Sequence, residues 1–231
     1  LGRAWLRSCT LIMYIDIHTH QTSGEHGVYK VHNVMIGRRE SALTGMADAG
    51  VMGFSAGVHP WDAALWSEEM VHTLEGWLSR PDCLMVGEIG LDKMAGPSMA
   101  IQEAAFNQQA ALAAKLNKPV ILHAVKAAPS ILACKQRFKE VPAWILHGFR
   151  GGQQEASQWI SKGFYLSFGP LFKPEALKAC APERLFLETD EKGDIAMHYQ
   201  QAAHVLDWPV ERLVQVVETN FFRLFPGLKL H

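Results

Sequence analysis

Several features that would place this chain in a common class of protein are missing from its sequence. No run approaches the ~20 consecutive apolar residues of a membrane-spanning helix, so we predict no membrane span. The formal net charge is −1, whereas a dedicated nucleic-acid-binding protein usually has a basic excess or stripe. Linkers, low-complexity tracts and signs of a second domain are also absent. At 231 residues with 48% hydrophobic residues, the chain is predicted to be one globular domain without an obligate protein partner.

Paired cysteine motifs are missing as well. The four cysteines, Cys9, Cys83, Cys134 and Cys180, have no CxxC spacing. Cys83 and Cys134 fall in or beside apolar segments, where a thiol behaves as a small hydrophobic group. We therefore expect reduced, structural cysteines in a cytoplasmic protein.

The N-terminus superficially resembles a signal peptide, because Arg3 and Arg7 precede apolar residues in LGRAWLRSCTLI. The apolar part is too short for the central region of such a peptide. Met13 stands immediately before the first predicted strand and looks like a natural start. We expect residues 1–12 to be a leader that is not native to the fold, and residues 13–231 to form the domain.

Short apolar, often β-branched runs alternate with longer amphipathic stretches, and this pattern predicts the fold. Eight strands are predicted near residues 14–17, 31–36, 53–58, 84–87, 119–122, 143–146, 164–168 and 185–187. Helical periodicity covers residues 67–79, 98–117, 129–139, 153–162, 174–179 and 196–206, while residues 21–30 and 38–50 give no convincing helix. Connections of this length demand parallel pairing and right-handed crossovers. The prediction is a single-domain α/β protein with a (β/α)8 TIM-type barrel.

Acidic or imidazole side chains stand at the ends of five of these runs. They are His18 and His20 in YIDIHTH, Glu88 in LMVGE, His123 in VILH, His147 in WILH and Asp190 in LFLETD. An isolated HxH motif is a weak signal, but metal-ligand residue types that recur once per strand are not. Since the carboxyl ends of barrel strands meet on one face, we predict that these residues form one metal centre.

The spacing within the first run suits a shared cation. His18 and His20 are two residues apart, so both side chains point to the same side of an extended strand and can converge on one ion. Asp190, at the end of the last strand, is predicted to bind the same ion. Its carboxylate is also predicted to act catalytically, by accepting a proton from the attacking water.

Glu88 has two carboxylate oxygens and is therefore predicted to bridge two cations, as in two-metal hydrolases. His123 and His147 would then hold the second cation. Ligands of these types accept Zn, Mn, Ni or Co, and Mg is an option at a more oxygen-rich position. We predict two divalent cations and a catalytic role for Glu88 in hydrolysis.

Each residue taken singly has another explanation. A histidine such as His123 or His147 is often simply satisfied at a strand end, Asp190 could cap the next helix, and Glu88 could pair with Lys93. All of these would have to coincide at one rim, so we favour the metal centre. His59 in GVHPWD also ends a strand, and we assign it either a substrate contact or a turn-forming role.

The ordered series HxH, GVHP, VGEIGLD, PVILH, HGF, GFYLSFG and LFLETD resembles the TatD family of metal-dependent hydrolases, over about residues 14–190. The resemblance implies a TIM-type barrel with a dinuclear divalent-metal site and hydrolysis of phosphodiesters, commonly as a deoxyribonuclease. DNA or a small phosphodiester is then the expected substrate. The ligands that the resemblance implies are His18, His20, Glu88, His123, His147 and Asp190.

The chain departs from the family pattern beside these ligands. Trp61 stands where the family often has a second histidine, and the residues after His123 lack the usual basic residue until Lys126. We predict that Lys126 and Arg150 contact a substrate phosphate, because Lys and Arg both bind phosphate well. Trp61 and Phe149 are candidate platforms for a nucleobase.

Two further hypotheses remain beside phosphodiester hydrolysis. The same metal centre could hydrolyse an amide or ester, since fold and metal do not separate these chemistries. The other hypothesis is a non-catalytic barrel with a structural metal, whose ligand set would be closed to water.

We expect Glu188, which shares the strand parity of Asp190, to face inward and support a ligand or a lysine.

Overall fold

Eight parallel strands form the centre of the molecule. The computed structural model describes residues 13–23, 25–37 and 51–228, so the predictions for residues 1–12 and 38–50 lie outside the described residues. Each strand pairs with the next one along the chain. The strands are β1 Tyr14–Thr19, β2 Val28–Met35, β3 Val51–Gly57, β4 Cys83–Asp92, β5 Val120–Val125, β6 Trp144–Leu146, β7 Tyr165–Phe168 and β8 Leu185–Leu187. The predicted (β/α)8 barrel is confirmed.

The barrel is closed between its first and last strands by contacts just beyond β8. Thr19 forms a parallel bridge with Asp190. The backbone N–H of His20 donates to the carbonyl of Asp190 at 2.7 Å, and the N–H of Asp190 donates to the carbonyl of His18 at 3.1 Å. The seam therefore lies at the carboxyl ends of the strands, where the predicted ligands are.

Helices cover the outside of the strands. They are α1 Glu68–Leu78, α2 Met99–Lys115, α3 Ala128–Arg137, α4 Gln153–Ser161, α5 Pro174–Ala179, α6 Ile195–Leu206 and α7 Val210–Leu224. The six predicted helices are confirmed, but α7 was not predicted. Among the described residues, no helix is long and apolar enough to cross a membrane.

Local signals in the sequence fix several helix ends. Ser67 caps α1 by accepting from the N–H of Met70 at 3.2 Å, and Asp194 caps α6 by accepting from the N–H of Met197 at 3.1 Å. Asp190 is therefore not the cap of the following helix. Gly163 follows α4 with a φ of +79°, a conformation that glycine adopts without steric cost.

The helix α7 closes the outer layer near β1 and β8. Its residues Leu213, Val217 and Phe221 are spaced by four and all buried, so they form one apolar face. Phe221 meets Tyr29 edge to face, with ring centroids 5.4 Å apart. A tyrosine of α6, Tyr199, donates its hydroxyl to the carbonyl of Ile15 at 3.0 Å. These contacts hold β2 through Tyr29 and β1 through Ile15, and β1 carries the first predicted ligand.

Candidate metal centre

All six predicted ligands converge at the carboxyl ends of the strands. His18 lies on β1 and His20 just after it, while Glu88 and His123 lie on β4 and β5. His147 follows β6 and Asp190 follows β8. Three overlapping groups of three residues each bring their ligand atoms within 4.8 Å of one another. These groups are His18 with Glu88 and His147, His18 with His20 and Asp190, and His59 with Glu88 and His123.

A glycine allows two of these strands to end close together. Gly90 on β4 has a φ of +141°, and a side chain there would collide with the backbone of His123 on β5. Only a residue without Cβ fits this approach. The close pairing brings Glu88, two residues earlier on β4, within hydrogen-bonding distance of His123.

The two carboxylate oxygens of Glu88 face two different sets of side chains. Oε2 lies 3.6 Å from His18 Nε2 and 3.8 Å from His20 Nε2. Asp190 Oδ1 completes this set, 3.8 Å from His18 Nε2 and 3.7 Å from His20 Nε2. We call His18, His20 and Asp190 the Oε2 group. The prediction that His18 and His20 point to the same side agrees with this arrangement.

The other oxygen, Oε1, faces His123 and His147, which we call the Oε1 group. His123 Nδ1 lies 2.9 Å from Oε1, and His147 Nε2 lies 2.6 Å from it. The two ring nitrogens are 3.4 Å apart. The carboxylate of Glu88 thus stands between two sets of nitrogen and oxygen donors, as a ligand shared by two cations would.

The charges in the centre are strongly coupled. Burial alone would raise the pKa of Glu88, but the charge of His147 and hydrogen bonds from His123 and His147 hold that pKa well below its usual range. Burial would lower the pKa of His147, yet the carboxylates of Glu88 and Glu188 keep it well above its usual range. Glu88 is therefore an anionic carboxylate, the form that binds a cation.

Both ring nitrogens of His18 are buried without a hydrogen-bond partner among the described residues. An unpaired polar group in the interior costs free energy, so a buried imidazole in this state needs an explanation. A divalent cation bound by a ring nitrogen supplies one, because neutral imidazole nitrogens are common metal ligands. The donor set of imidazoles and carboxylates fits such a cation.

Three residues support the ligands from outside. Glu188 is fully buried; its Oε1 accepts from the N–H of Gly148 at 2.6 Å and lies 3.3 Å from His147 Nδ1. The inward orientation expected for Glu188 agrees with this position. Asn33 on β2 accepts the N–H of Glu88 at 2.8 Å and directs its own amide toward Glu88 Oε2 at 3.4 Å. Asp92 lies 3.2 Å from His123 Nε2.

Asn33 and Asp92 were missed by the sequence analysis, although each left a signal. Asn33 is a polar residue in the middle of a strand whose residues are almost all buried. Asp92 is an acidic residue at a strand end, like the predicted ligands, but β4 was predicted to end at residue 87 and continues to Asp92. The alternative pairing of Glu88 with Lys93 is not what the structure shows, since the Glu88 carboxylate faces histidines.

His59 is buried and lies at the edge of the centre. Its Nδ1 accepts from the backbone N–H of Trp61 at 3.2 Å and caps a short 3-10 helix, Pro60–Leu65. The turn-forming role is therefore confirmed, and a substrate contact stays a prediction. Its Nε2 lies 3.4 Å from Glu88 Oε1. Burial lowers the pKa of His59, against the opposing effect of Glu88.

The predicted substrate residues border two cavities at this face. Lys126 and Arg150 line a cavity of about 600 Å³ together with His123, His147 and Asp190. Trp61 is 42% exposed and lines a second cavity of about 430 Å³ above the ligands. Phe149, in contrast, is 6% exposed and packs against Phe168 at 5.7 Å between ring centroids. Phe149 therefore packs against the barrel, but it also lines the 600 Å³ cavity, so its role as a nucleobase platform stays a prediction.

A parallel (β/α)8 barrel with an imidazole and carboxylate cluster at its carboxyl face belongs to the class of barrels that carry a metal centre at this end. The family model described as TatD related DNase matches residues 17–226. The chain therefore belongs to the TatD family. Family membership and the donor cluster together support the binding of divalent metal.

Individual relatives agree with this assignment. The chain is 40% identical over 146 residues to the 3′-5′ ssDNA/RNA exonuclease TatD of Edwardsiella piscicida, and 38% identical over 146 residues to that of Cronobacter turicensis. Each match covers 59% of this chain and 56% of the relative, so the chain matches little more than half the length of these curated relatives. Among solved structures, the TatD homolog YJJV of Escherichia coli K12 superposes with a TM-score of 0.81 at 21% identity, over 94% of this chain and 100% of that one. This likeness shows the fold.

Proposed function

We propose that this chain is a divalent-metal-dependent nuclease that hydrolyses phosphodiester bonds, with single-stranded DNA or RNA as its substrate. The observation that carries the proposal is the position of Glu88, whose two oxygens face two separate donor groups. A carboxylate shared in this way suits a two-cation centre for phosphodiester chemistry. The class of substrate is supported by the relatives from Edwardsiella piscicida and Cronobacter turicensis, which are named 3′-5′ ssDNA/RNA exonucleases.

In this proposal the Oε2 group, His18, His20 and Asp190, would hold one cation, and the Oε1 group, His123 and His147, would hold the other, with Glu88 between them. The candidates are Zn, Mn, Ni, Co and Mg. When bound, two such cations supply an activated water and stabilise the negative charge that develops on phosphorus oxygens. A single cation would leave one group of donors unused.

Asp190 has the best position for moving a proton. Its side chain is 28% exposed, whereas those of Glu88 and His18 are 5% and 0% exposed, so Asp190 borders the open cavity through which water and substrate enter. A carboxylate in this position can accept a proton from the attacking water. Glu88 acts by orienting the donors on both of its sides.

Lys126 and Arg150 are proposed to bind the substrate phosphates. Both follow strands that carry the Oε1 group, and both line the 600 Å³ cavity that reaches His123, His147 and Asp190. Because the net charge of the chain is −1, local cations of this kind rather than a bulk positive field would attract the substrate.

The size of the site favours a single strand. The cavity above the ligands has a volume of about 430 Å³, within the range of ~300 to 1,000 Å³ that holds one small ligand. A nucleotide fits a cavity of this size, whereas a base inside a duplex has to leave its stack before it can enter a pocket. The part-exposed Asp190 and His20 also make the site open, unlike the closed ligand set of a structural metal.

The test begins with protein stripped of metal by a chelator and reloaded with Zn, Mn, Ni, Co or Mg. Metal-loaded protein should degrade single-stranded DNA labelled at either end and a small phosphodiester, and the stripped protein should not. An N-acyl amino acid tests the amide alternative. Hydrolysis of the amide alone would refute the proposed substrate class, and turnover that resists the chelator would refute the metal requirement.

A further inference from the structure

Trp61 donates two hydrogen bonds to residues beside the Oε1 group. Its backbone N–H donates to His59 Nδ1 at 3.2 Å, and its indole Nε1–H donates to Asp92 Oδ2 at 2.8 Å. Both acceptors belong to residues that face the ligands. His59 Nε2 lies 3.4 Å from Glu88 Oε1, and Asp92 Oδ2 lies 3.2 Å from His123 Nε2.

The first bond fixes where the proton of His59 lies. A backbone N–H can only donate, so His59 Nδ1 has to present its lone pair, and the proton of the neutral ring is then on Nε2. That proton points at Glu88 Oε1, which can only accept. His59 consequently has no lone pair left for a cation, although its Nε2 lies within ligand distance of Glu88 and His123.

The second bond acts on His123 through Asp92, which is buried. Asp92 Oδ1 accepts from the N–H of Met94 at 2.8 Å, while Oδ2 accepts from Trp61 and faces His123 Nε2. An ionised carboxylate can only accept, so it favours a proton on Nε2 of His123. When a cation replaces the Nδ1 proton that His123 donates to Glu88, the lone pair of His123 is then on Nδ1, which lies 2.9 Å from Glu88 Oε1.

We propose that Trp61 is a positioning residue that sets the proton positions of two histidines, so that His123 is a cation ligand and His59 is a hydrogen-bond donor to Glu88. This inference rests on the metal centre proposed above. A carboxylate that accepts the far N–H of a metal-binding histidine orients the ring and strengthens it as a ligand. Here the indole of Trp61 holds that carboxylate.

Nitrogen NMR of protein labelled with nitrogen-15 in its histidines tests the proton positions directly. Cadmium-113 replaces the native cation, because its spin couples to the nitrogens that bind it. We expect coupling from cadmium to His123 Nδ1 and none to His59, and a proton on His59 Nε2 both with and without cadmium. Coupling to either nitrogen of His59 would overturn the proposal.

Two variants test the bond from the indole of Trp61 to Asp92 separately from the bond between the backbone of Trp61 and His59. Trp61→Phe removes the indole N–H and keeps the backbone N–H, so cadmium should bind about 10-fold more weakly while His59 keeps its proton on Nε2. Asp92→Asn should weaken cadmium binding by about 10-fold or more. Trp208→Phe, the same change on the connection between α6 and α7, should leave the affinity unchanged. Equal affinity in wild type and Trp61→Phe would overturn the role of the Trp61 indole, and equal affinity in wild type and Asp92→Asn would overturn that of the Asp92 carboxylate.

The result also separates this inference from the metal centre itself. If no cadmium binds to the wild-type protein, the metal centre proposed above fails, and with it the role of His123 as a ligand. The nitrogen spectrum of the metal-free protein still decides the part that concerns His59, since that proton position depends only on the backbone N–H of Trp61. A proton on Nδ1 of neutral His59 would refute that part independently.

Discussion

The two donor groups around Glu88 are built differently. In the Oε1 group, the contacts to Glu88 are 2.6 and 2.9 Å long, and each histidine is also backed by a second carboxylate, Asp92 or Glu188. In the Oε2 group, the corresponding distances are 3.6 and 3.8 Å, and both ring nitrogens of His18 lack a hydrogen-bond partner within residues 13–23, 25–37 and 51–228. The Oε1 group is already held together by hydrogen bonds, whereas the donors of the Oε2 group are farther apart.

This difference assigns different requirements to the two proposed cations. A cation in the Oε1 group has to replace the proton shared by His147 and Glu88, because ligand nitrogens bind metal only after losing their protons. A cation in the Oε2 group meets donors that are spaced apart, including His18, whose ring nitrogens have no hydrogen-bond partner in the described part of the chain. The Oε2 group therefore depends more than the Oε1 group on a bound cation to hold its donors in place.

The largest effect is expected from removing the residue common to both groups. Glu88→Ala should abolish binding of both cations and lower phosphodiesterase activity by more than about 100-fold, since the shared carboxylate is lost from each site. Metal content per chain and turnover on single-stranded DNA measure this. Retention of one full equivalent of metal would show that one group binds independently of Glu88.

Removing one histidine from either group should cost the protein only the cation of that group. His18→Ala is expected to lose the cation of the Oε2 group, and His147→Ala that of the Oε1 group, each lowering the metal content from two equivalents to one. His72→Ala is the matched control, because the His72 side chain is 82% exposed on α1. Loss of both equivalents in either variant would contradict separate groups.

A smaller effect is expected from the carboxylate behind His147. Glu188→Gln keeps the size of the side chain but loses the charge that favours a proton on His147 Nδ1. We expect the cation of the Oε1 group to bind about 10- to 100-fold more weakly, while the Oε2 group changes little. Calorimetric titration of metal-free protein resolves the two affinities. An equal decrease at both would mean that Glu188 supports the whole rim.

The mildest changes concern the substrate beside the Oε1 group. Lys126→Ala and Arg150→Ala should raise KM on single-stranded DNA, leave metal content unchanged, and each reduce the slope of log affinity against log salt concentration by about 0.7. Lys139→Ala is the control, since Lys139 is exposed and follows α3 at the opposite end of the barrel. Salt slopes that match wild type would remove Lys126 and Arg150 from the substrate path.

Much of the fold was predictable because its signals are local. The strands are short apolar runs, and helix ends follow caps such as Ser67 and Asp194. The helix α7 was missed even though Leu213, Val217 and Phe221 repeat every four residues, because its many valines have low helix propensity. Packing against the barrel compensates for that propensity.

The convergence of the six predicted ligands was predictable as well, because each ends a predicted strand and a barrel gathers strand ends on one face. Of the three residues that support them, Glu188 was predicted, whereas Asn33 and Asp92 were not. The role of Asn33 depends on which face of β2 points inward, and the role of Asp92 depends on how far β4 continues, and both are settled by pairing with other strands. The arrangement of the ligands around the two oxygens of Glu88 likewise depends on rotamers that a sequence does not fix.

The seam between β1 and the end of β8 links the site to the order of folding. The hydroxyl of Thr19 donates to the carbonyl of Asp190 at 3.2 Å across 171 positions of sequence, and His18, His20 and Asp190 occupy the two sides of the same seam. Contacts between such distant residues carry a large entropic cost of loop closure and are slow to form. The Oε2 group consequently comes into existence only when the last strand docks on the first. Metal uptake at that group would report completion of the barrel, and a chain that has not yet added β8 would lack the activity.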